Sequence, residues 1–431
     1  MTTETRTIEV GYLARVEGEG ALTIELDGAR AVAVKLRIFE PPRFFEAFLR
    51  GRSALEAPDL TSRICGICPV AYQLSACGAI EDALGLSISE PIRALRRLLY
   101  CGEWIESHAL HVFMLHAPDF LGYDDAFAMA KDHGDMVRRG LAVKKVGNEI
   151  VSAIGGRAIH PINVRVGGFY RAPARRELAP LVPAIEDALA SAQVALGWAA
   201  GFTYPDVERD YELVALRDDR AYPFCDGRIV SSAGIAAPMC DFDTHFVERQ
   251  VPHATALHAE VRGRGAALCG PLARFGLDAD LLGDVARAAA RSAGLAAPCR
   301  NPYRSILVRL VEIAQALDEA RRLIAAYVPP DPPCVTAPIR PGVGHACTEA
   351  PRGMLYHRYE IDETGAIADA DIVPPTSHNQ RVIEEDLFAI AGTLAALPHD
   401  EATLLAERTV RNHDPCISCA THFLDLRIVR R

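Results

Sequence analysis

Residues 63–84 read RICGICPVAYQLSACGAIEDAL and combine a cysteine pair with the start of a helix. A spacing of three lets the thiolates of Cys65 and Cys68 bind one metal ion. After Pro69 the spacing of the apolar residues becomes helical, with members at Leu74, Cys77, Ile80 and Leu84. We expect the positive end of this helix to favour the thiolate form of Cys68, which metal binding requires.

A second pair, Cys416 and Cys419, lies near the other end of the sequence. Four soft sulfur donors select zinc, nickel or iron–sulfur chemistry over hard cations. Zinc ribbons keep their two pairs within a few tens of residues, whereas here nearly the whole chain separates them. The residues alone therefore predict a buried four-thiolate site that joins both ends of the chain. They leave the metal open, and structural zinc is the alternative.

The remaining periodicity predicts a mainly α fold, a long-helix bundle core with small peripheral β-hairpins. Period-two apolar spacing predicts hairpins over 22–38, around Asp27-Gly28, and over 355–373. Helical spacing covers 90–117, 178–203, 303–328 and 382–397, the last ended by Pro398. We expect one domain over 1–431, with an insertion at 205–250, where periodicity is weak.

Composition narrows the class of protein. A net charge of −10 argues against nucleic acid as a partner. No apolar run reaches the ~20 residues of a membrane span, and the first residues carry no secretion-signal pattern. Twelve cysteines without disulfide-like spacing indicate reduced thiols. The sequence therefore predicts a cytoplasmic protein without a transmembrane segment.

Five ordered motifs along the chain resemble those of nickel–iron hydrogenase large subunits. The two longest contain the cysteine pairs, RICGIC at 63–68 and DPCISCATH at 414–422. The others are RVEG at 15–18, RAIHP with two glycines at 157–168, and EAPRG at 349–353. The resemblance implies a catalytic subunit that oxidises dihydrogen reversibly to protons and electrons.

The same resemblance implies a Ni–Fe centre on the four cysteines. Cys65 and Cys416 would be terminal ligands of nickel, while Cys68 and Cys419 would bridge nickel to iron. The family's iron carries one carbon monoxide and two cyanides. Glu17 resembles the glutamate that takes the proton away from the centre, and we expect it near Cys419.

Further residues resemble the surroundings of the family's centre. Arg352 would lie over the open metal position, paired with Asp119 and Asp414, where a fixed guanidinium can orient cyanide. Thr376 would donate its hydroxyl to a cyanide. These four residues complete the expected active site.

An outer ion and a cleaved tail are also implied. Glu46, His422 and the backbone carbonyl of Ile372 would hold Mg²⁺ (or Fe²⁺), which suits oxygen-rich ligand sets. Residues 423–431 would be an extension that a maturation endopeptidase removes, after nickel chaperones have loaded the site.

One departure from the family pattern is Tyr72, where most members carry histidine. A tyrosine lacks the titration of imidazole near neutral pH, so we expect altered tuning of the site. Tyrosine here is typical of the cytosolic, NAD(P)-linked branch.

The other eight cysteines lack paired spacing and are expected to be small core residues. Electrons would then leave through an iron–sulfur small subunit and on to diaphorase, NAD(P)-reducing subunits. The alternatives are a hydrogen sensor, a deazaflavin- or heterodisulfide-linked hydrogenase, and a non-enzymatic quinone-module subunit of a respiratory complex. His108, His111 and His116 share one predicted helix and are expected to be structural.

Overall fold

Long helices form the centre of the molecule. The structure is a computed structural model and describes residues 5–421. The helices are α1 (Phe45–Leu49), α2 (Ala57–Thr61), α3 (Pro69–Leu84), α4 (Glu90–Ala109), α5 (Ala117–Leu121), α6 (Ala126–Gly155), α7 (Arg175–Leu178), α8 (Leu181–Ala200), α9 (Phe242–His245), α10 (Pro271–Asp278), α11 (Asp284–Ser292), α12 (Ser305–Ala326), α13 (Pro375–Ala389), α14 (Ala391–Ala396), α15 (His399–Arg411) and α16 (Ile417–Ala420). The expected tail at 423–431 and His422 lie outside the described residues.

Small antiparallel sheets surround the helices. The strands are β1 (Thr5–Val10), β2 (Gly20–Asp27), β3 (Arg30–Ile38), β4 (Val164–Arg165), β5 (Gly168–Phe169), β6 (Val214–Arg217), β7 (Arg228–Ser231), β8 (Ala236–Ala237), β9 (Phe246–Gln250), β10 (Leu257–Val261), β11 (Gly342–Ala350), β12 (Gly353–Ile361) and β13 (Ile367–Val373). The three-stranded sheets are β1-β2-β3, β6-β7-β8 and β11-β12-β13. The prediction of a mainly α fold with small peripheral hairpins is confirmed.

Four helices, α4, α6, α8 and α12, pack on one another to form the bundle. The predicted helices at 90–117, 178–203 and 303–328 correspond to α4, α8 and α12, and a π-helical segment over Leu110–His116 leads from α4 into α5. Helix α6 was not predicted, although Val143, Val146, Ile150 and Ile154 are buried at helical spacing. Its packing depends on glycine, since a Cβ on Gly147 would lie 2.6 Å from the carbonyl oxygen of Gly102 on α4.

Both predicted hairpins are confirmed, and each gains a third strand. A register shift after Glu25 turns Ala31 into the core and leaves Val32 55% exposed, although Val32 belongs to the period-two apolar spacing that predicts this hairpin. In the other sheet, β11 pairs with β12. The tight turn between them carries Arg352.

The predicted helix at 382–397 is only partly right. Helix α13 already begins at Pro375, since proline is favoured in a first turn. The helix breaks at Ile390, and α14 ends before Pro398. The region 205–250 contains β6 to β9 and α9, and β6 packs on β11 and β12. Its description as an insertion stays a prediction.

Helix α12 carries buried charged residues, since Glu312 is completely buried and Glu319 is only 5% exposed. Arginines of other elements neutralise both carboxylates. Arg274 bonds to Glu312, and Arg97 bonds to Glu319.

Among residues 5–421, no helix combines the length and the apolar character needed to cross a bilayer.

Candidate metal centre

The structure brings the four cysteines of the two motifs together, as their spacing predicts. All four are buried, and their sulfur atoms lie within 4.8 Å of one another. The Cys65 and Cys416 sulfurs are 3.6 Å apart, and those of Cys68 and Cys419 are 3.7 Å apart. Metal–thiolate bonds of about 2.3 Å place tetrahedral neighbours roughly 3.8 Å apart. These two pairs have the spacing of metal ligands, whereas the Cys416 and Cys419 sulfurs, 2.8 Å apart, would have to separate to bind one.

Arg43 joins the two cysteine segments. Its guanidinium donates to the carbonyl oxygen of Ile64 at 2.7 Å and also to the carbonyl oxygen of Ser418. Its backbone N–H donates to the carbonyl of Thr421 at 2.8 Å. A single side chain thus holds the residues next to Cys65 and Cys419 in register.

Glu17 lies at the cysteine sulfurs, in direct contact with Cys416. The Cys416 thiol donates to its carboxylate at 3.0 Å, and the sulfur of Cys419, the predicted neighbour, is 2.8 Å from that of Cys416. A backbone bridge holds Glu17 there, since the Ile417 N–H donates to the Glu17 carbonyl at 2.9 Å. Burial, followed by the charge of Cys65, raises the pKa of Glu17. The carboxyl lies at hydrogen-bond distance from the Cys416 sulfur, so a proton can pass directly between the two groups.

The neighbouring backbone requires glycine at position 18. Gly18 has φ +88°, and a Cβ there would lie 2.7 Å from Ile417 and 2.8 Å from the Glu40 carboxylate. Glu40 also accepts a hydrogen bond from the Ser418 hydroxyl at 2.9 Å, and the Ser418 N–H donates to Glu17 at 3.0 Å. Sequence reasoning missed Glu40 and Ser418, although Ser418 lies inside the second cysteine motif.

Arg352 pairs with Asp414, as predicted. Its Nε donates to the Asp414 carbonyl at 2.8 Å, and its Nη2 donates to the Asp414 carboxylate at 3.2 Å. Asp414 has φ +51°, a left-handed turn that leads the chain from α15 towards Cys416. Despite the cost of burial, the charges of Asp414 and Cys416 raise the pKa of Arg352 well above its usual value. The guanidinium is therefore a permanent cation beside the sulfurs.

The predicted pairing of Arg352 with Asp119 is wrong. The Asp119 carboxylate instead accepts hydrogen bonds from Arg411, at 2.8 Å to each of its two oxygens, and from Arg15 at 2.5 Å. Arg411 lies at the end of α15 and is completely enclosed. Asp119 thus anchors the helix that leads into the second cysteine motif.

Two hydroxyl groups complete the surroundings of the sulfurs. Thr376, in the first turn of α13, accepts the Cys416 N–H at 2.9 Å, and its own proton remains available for donation. The Tyr72 hydroxyl is buried and makes no hydrogen bond within the described part of the chain. Burial and the charges of Cys419 and Cys68 raise its pKa well above the usual value.

Two buried hydrogen-bond donors beside the cysteines indicate whether the site fits a bound group. Arg352 Nη1 and the Tyr72 hydroxyl are buried without partners among residues 5–421. Leaving such groups unsatisfied is costly. Unused donors beside four thiols fit a metal group that itself carries hydrogen-bond acceptors.

Comparisons with known proteins agree with this geometry. A family model described as nickel-dependent hydrogenase matches residues 43–139 and 271–422, more than half of the chain. The alpha subunit of sulfhydrogenase 1 from Pyrococcus furiosus is 33% identical over 97% of this chain and 98% of that protein. The alpha subunit of sulfhydrogenase 2 from the same organism is 34% identical over 97% of this chain and 100% of that protein.

This chain belongs to the nickel-dependent hydrogenase family. It is the catalytic subunit of a nickel-dependent hydrogenase. A solved NAD+-reducing [NiFe]-hydrogenase in the H2-reduced state superimposes with a TM-score of 0.87 at 28% identity, covering 97% of this chain and 99% of that one.

In this hydrogenase the start of α3 differs from expectation. Its first free amides, those of Val70 and Ala71, donate to the buried Glu103 carboxylate at 2.6 and 3.0 Å. The Cys65 sulfur accepts the N–H groups of Ile67 and Cys68 at 3.3 Å each. The predicted stabilisation of the Cys68 thiolate by the helix is therefore wrong, because Glu103 occupies that end.

The outer-ion residues of the hydrogenase are described in part. The Ile372 N–H donates to the Glu46 carboxylate at 2.9 Å, which places β13 beside α1. Burial, with the charges of Asp371 and Glu46, raises the pKa of nearby Glu248 well above its usual value. Several carboxylates therefore face one another here, while His422 lies outside the described residues.

The three clustered histidines each contact a protein group. His108 lies 2.9 Å from Glu312, His111 lies 2.8 Å from the Arg411 carbonyl, and His116 lies 3.1 Å from Asp119. These contacts fit a structural role.

The remaining cysteines are mostly interior. Those that are buried or half-buried are Cys77, Cys101, Cys225, Cys269, Cys299, Cys334 and Cys347. Cys240 is exposed, so the expectation that all eight are core residues is wrong there. It lies in a short 3₁₀ turn over Met239–Asp241 rather than in a core element.

Proposed function

We propose that this hydrogenase subunit holds a Ni–Fe centre whose iron carries one carbon monoxide and two cyanides. The observation that supports the proposal is the convergence of four buried cysteine sulfurs within 4.8 Å in a chain of this family. Cys65 and Cys416 would be terminal nickel ligands, and Cys68 and Cys419 would bridge nickel to iron. When bound, the centre supplies the heterolytic splitting of dihydrogen.

Glu17 would carry the proton away. Its carboxylate already accepts a hydrogen bond from the Cys416 sulfur, and burial raises its pKa. Because Ser418 links Glu17 to Glu40 through its N–H and its hydroxyl, we propose Glu40 as the next acceptor. Glu40 is half-buried, which gives the proton a route towards solvent.

Arg352, Asp414 and Thr376 would orient the cyanides. The unused Arg352 Nη1 and the Thr376 hydroxyl proton are the donors, and Asp414 fixes the guanidinium. Asp119 would act as a positioning residue through Arg411. Donors fixed in advance stabilise developing charge without reorganisation.

We further propose that Glu46, the Ile372 carbonyl and His422 bind Mg²⁺ or Fe²⁺. The Glu46 carboxylate lies beside the Ile372 backbone, which supports this proposal because carboxylate and carbonyl oxygens are the ligands that Mg²⁺ prefers. The ion would join β13 and α1 to the residues that follow α16.

The electrons would pass to an iron–sulfur small subunit, and from there through diaphorase subunits to NAD(P)+. Support comes from the likeness to an NAD+-reducing enzyme and from relatives named as subunits. We place the complex in the cytoplasm. Removal of residues 423–431 by a maturation endopeptidase, after loading by nickel chaperones, would complete it.

The decisive experiment is metal analysis with infrared spectroscopy on the purified complex. We expect stoichiometric nickel with bands from iron-bound carbon monoxide and cyanide. Cys416→Ser should lose nickel, while Cys240→Ser, on the surface, should keep it. Zinc alone in the wild type would overturn the proposal.

The acceptor is tested separately, by following hydrogen-dependent reduction of NAD+ and NADP+. Activity with either supports the proposed branch. Reduction of sulfur without NAD(P)+ reduction would instead align this enzyme with the sulfhydrogenases that it also resembles. The intact mass of active enzyme tests the tail, because processing would make it end at His422.

A further inference from the structure

A second group of potential metal ligands lies where β3, β10 and α13 meet. His253 precedes β10, His258 is on β10, and Glu384 is on α13. One ligand atom from each lies within 4.8 Å of the others. Within residues 5–421 no other set of three such side chains outside the four cysteines comes this close.

The carboxylate of this group is held in place. His253 Nε2 lies 2.7 Å from Glu384 Oε1, and the same oxygen accepts the Leu36 N–H at 2.9 Å. A backbone donor that orients a ligating carboxylate is common around metal sites. Bonds of about 2.0–2.1 Å put neighbouring ligand atoms roughly 3 Å apart, so an ion needs only small side-chain shifts here.

The buried histidine has an unused nitrogen. His258 is 1% exposed, and its Nε2 makes no hydrogen bond with the described residues. The side chain of His253 is 22% exposed, which gives an ion access from solvent.

We propose that His253, His258 and Glu384 bind one divalent transition-metal ion, with zinc the best match. Two imidazoles and one carboxylate form a ligand set that suits zinc and other borderline ions, whereas Mg²⁺ prefers oxygen. The site is separate from both the four cysteines and Glu46. The nearest arginine, Arg381, lies 3.8 Å from the other Glu384 oxygen and is half exposed, so it can move aside.

The ion would stabilise segments that contact Glu40 and Thr376, residues of the proposed metal centre and proton route. Thr255, between the two histidines, donates its hydroxyl to the backbone carbonyl of Glu40 at 2.8 Å. Helix α13, which carries Glu384, has Thr376 in its first turn. A metal here would therefore fix two segments that contact the residues around Cys416.

The test uses the assembled enzyme with its nickel centre filled, treated with a chelator and titrated with Zn²⁺ by calorimetry. We expect one Zn²⁺ per chain. His253→Ala and Glu384→Gln should weaken binding at least tenfold, while the control His399→Ala, an exposed histidine, should not. Glutamine at 384 can still accept the Leu36 N–H, so folding is expected to survive.

Co²⁺ absorption gives a second measurement. Cobalt bound by histidine and carboxylate shows only weak d–d bands, whereas cobalt on cysteine shows intense charge-transfer bands. The weak bands should disappear in His253→Ala. Equal Zn²⁺ affinity in the wild type and both variants, or thiolate bands with Co²⁺, would overturn the proposal.

Discussion

Two buried arginines at neighbouring places in the fold have different surroundings. Arg274 on α10 donates five hydrogen bonds of 2.8–3.0 Å, to the Glu312 and Glu349 carboxylates and to the carbonyls of Ala350 and Pro351. Arg352 follows those carbonyls directly, yet it bonds only to Asp414 and leaves Nη1 unpaired among the described residues.

The difference separates structural from functional polar groups. Around Arg274 the network closes, because Glu312 also accepts the Tyr222 hydroxyl at 2.8 Å and Glu349 accepts the Leu216 N–H at 2.7 Å. A fully satisfied network holds elements together. Around Arg352, the unpaired Nη1 donor is available to a group bound at the cysteines. The motif EAPRG at 349–353 thus contributes to both environments, since Glu349, Ala350 and Pro351 accept from Arg274, whereas Arg352 is the second arginine itself.

The largest expected effect concerns the metal centre around Arg352 and the cysteines. Glu17→Gln keeps an oxygen for the Ser418 N–H but cannot take a proton, so turnover should fall on the order of 10²–10⁴-fold. Nickel content should stay unchanged. Hydrogen uptake and metal analysis measure both. Glu19→Gln, an exposed neighbour, is the control, and full activity of Glu17→Gln would remove Glu17 from the proton route.

The hydrogen-bond network of Arg274 is tested by the variant Arg274→Met. Two buried carboxylates then lose their cation, and the free energy of unfolding should fall by about 3–5 kcal/mol. Urea or thermal unfolding measures the loss. The control is Arg287→Met, which removes an exposed ion pair with Asp284. Its free energy of unfolding should change by no more than about 1 kcal/mol. An equally small change for Arg274→Met would mean that the network does not stabilise the fold.

Arg352→Lys sharpens the comparison, since it keeps the charge and removes the planar fork. We expect turnover to fall roughly 10–100-fold, with cyanide bands shifted in the infrared spectrum and the unfolding temperature nearly unchanged. Arg220→Lys, on the surface beside Asp218, serves as the control. Loss of stability without a spectral shift would make Arg352 structural, like Arg274.

The last expected effect is a pH dependence among the groups beside the Arg274 network. Burial, despite Arg217 at 3.0 Å, raises the pKa of Asp278 to about 7, above its unfolded value of about 3.9. The folded state then binds more protons than the unfolded state between about pH 4 and 7. Stability should therefore fall as pH rises through that window, by at most about 1.4 kcal/mol per pH unit.

Asp278→Asn should remove this slope, which unfolding curves at several pH values would measure. Asp280→Asn is a control of opposite sign. The hydrogen bond from Arg217 lowers the pKa of Asp280, so Asp280 favours the folded state above its unfolded pKa and loses that effect as pH falls. An unchanged slope in Asp278→Asn would contradict the assignment.

The sequence predicted the bundle wherever apolar spacing was regular, as in α8 and α12. It missed α6, although Val143, Val146, Ile150 and Ile154 of that helix are buried at helical spacing, and its close approach to α4 depends on Gly147. It also failed for Val32, since a bulge changes which side chains face inward without changing the alternation. Such local geometry has no signal in residue type alone.

For the site, spacing predicted that the four cysteines converge, and motifs predicted the Arg352–Asp414 pair. The partner predicted for Asp119 was wrong because motif resemblance places residues near the centre without fixing which atoms meet. Glu40 and Arg43 were missed for the same reason. Their roles depend on contacts with Ser418 that only the folded chain creates.

The separation of the two cysteine pairs has a consequence for biosynthesis. Cys65 and Cys416 are 351 residues apart, yet their sulfurs lie 3.6 Å from each other. At 5–20 residues per second, a ribosome needs roughly 20–70 s to travel that distance. The first pair is therefore exposed on the nascent chain for most of translation, before its partner exists. Metal delivery and protection of Cys65 and Cys68 from oxidation must be timed to the end of synthesis.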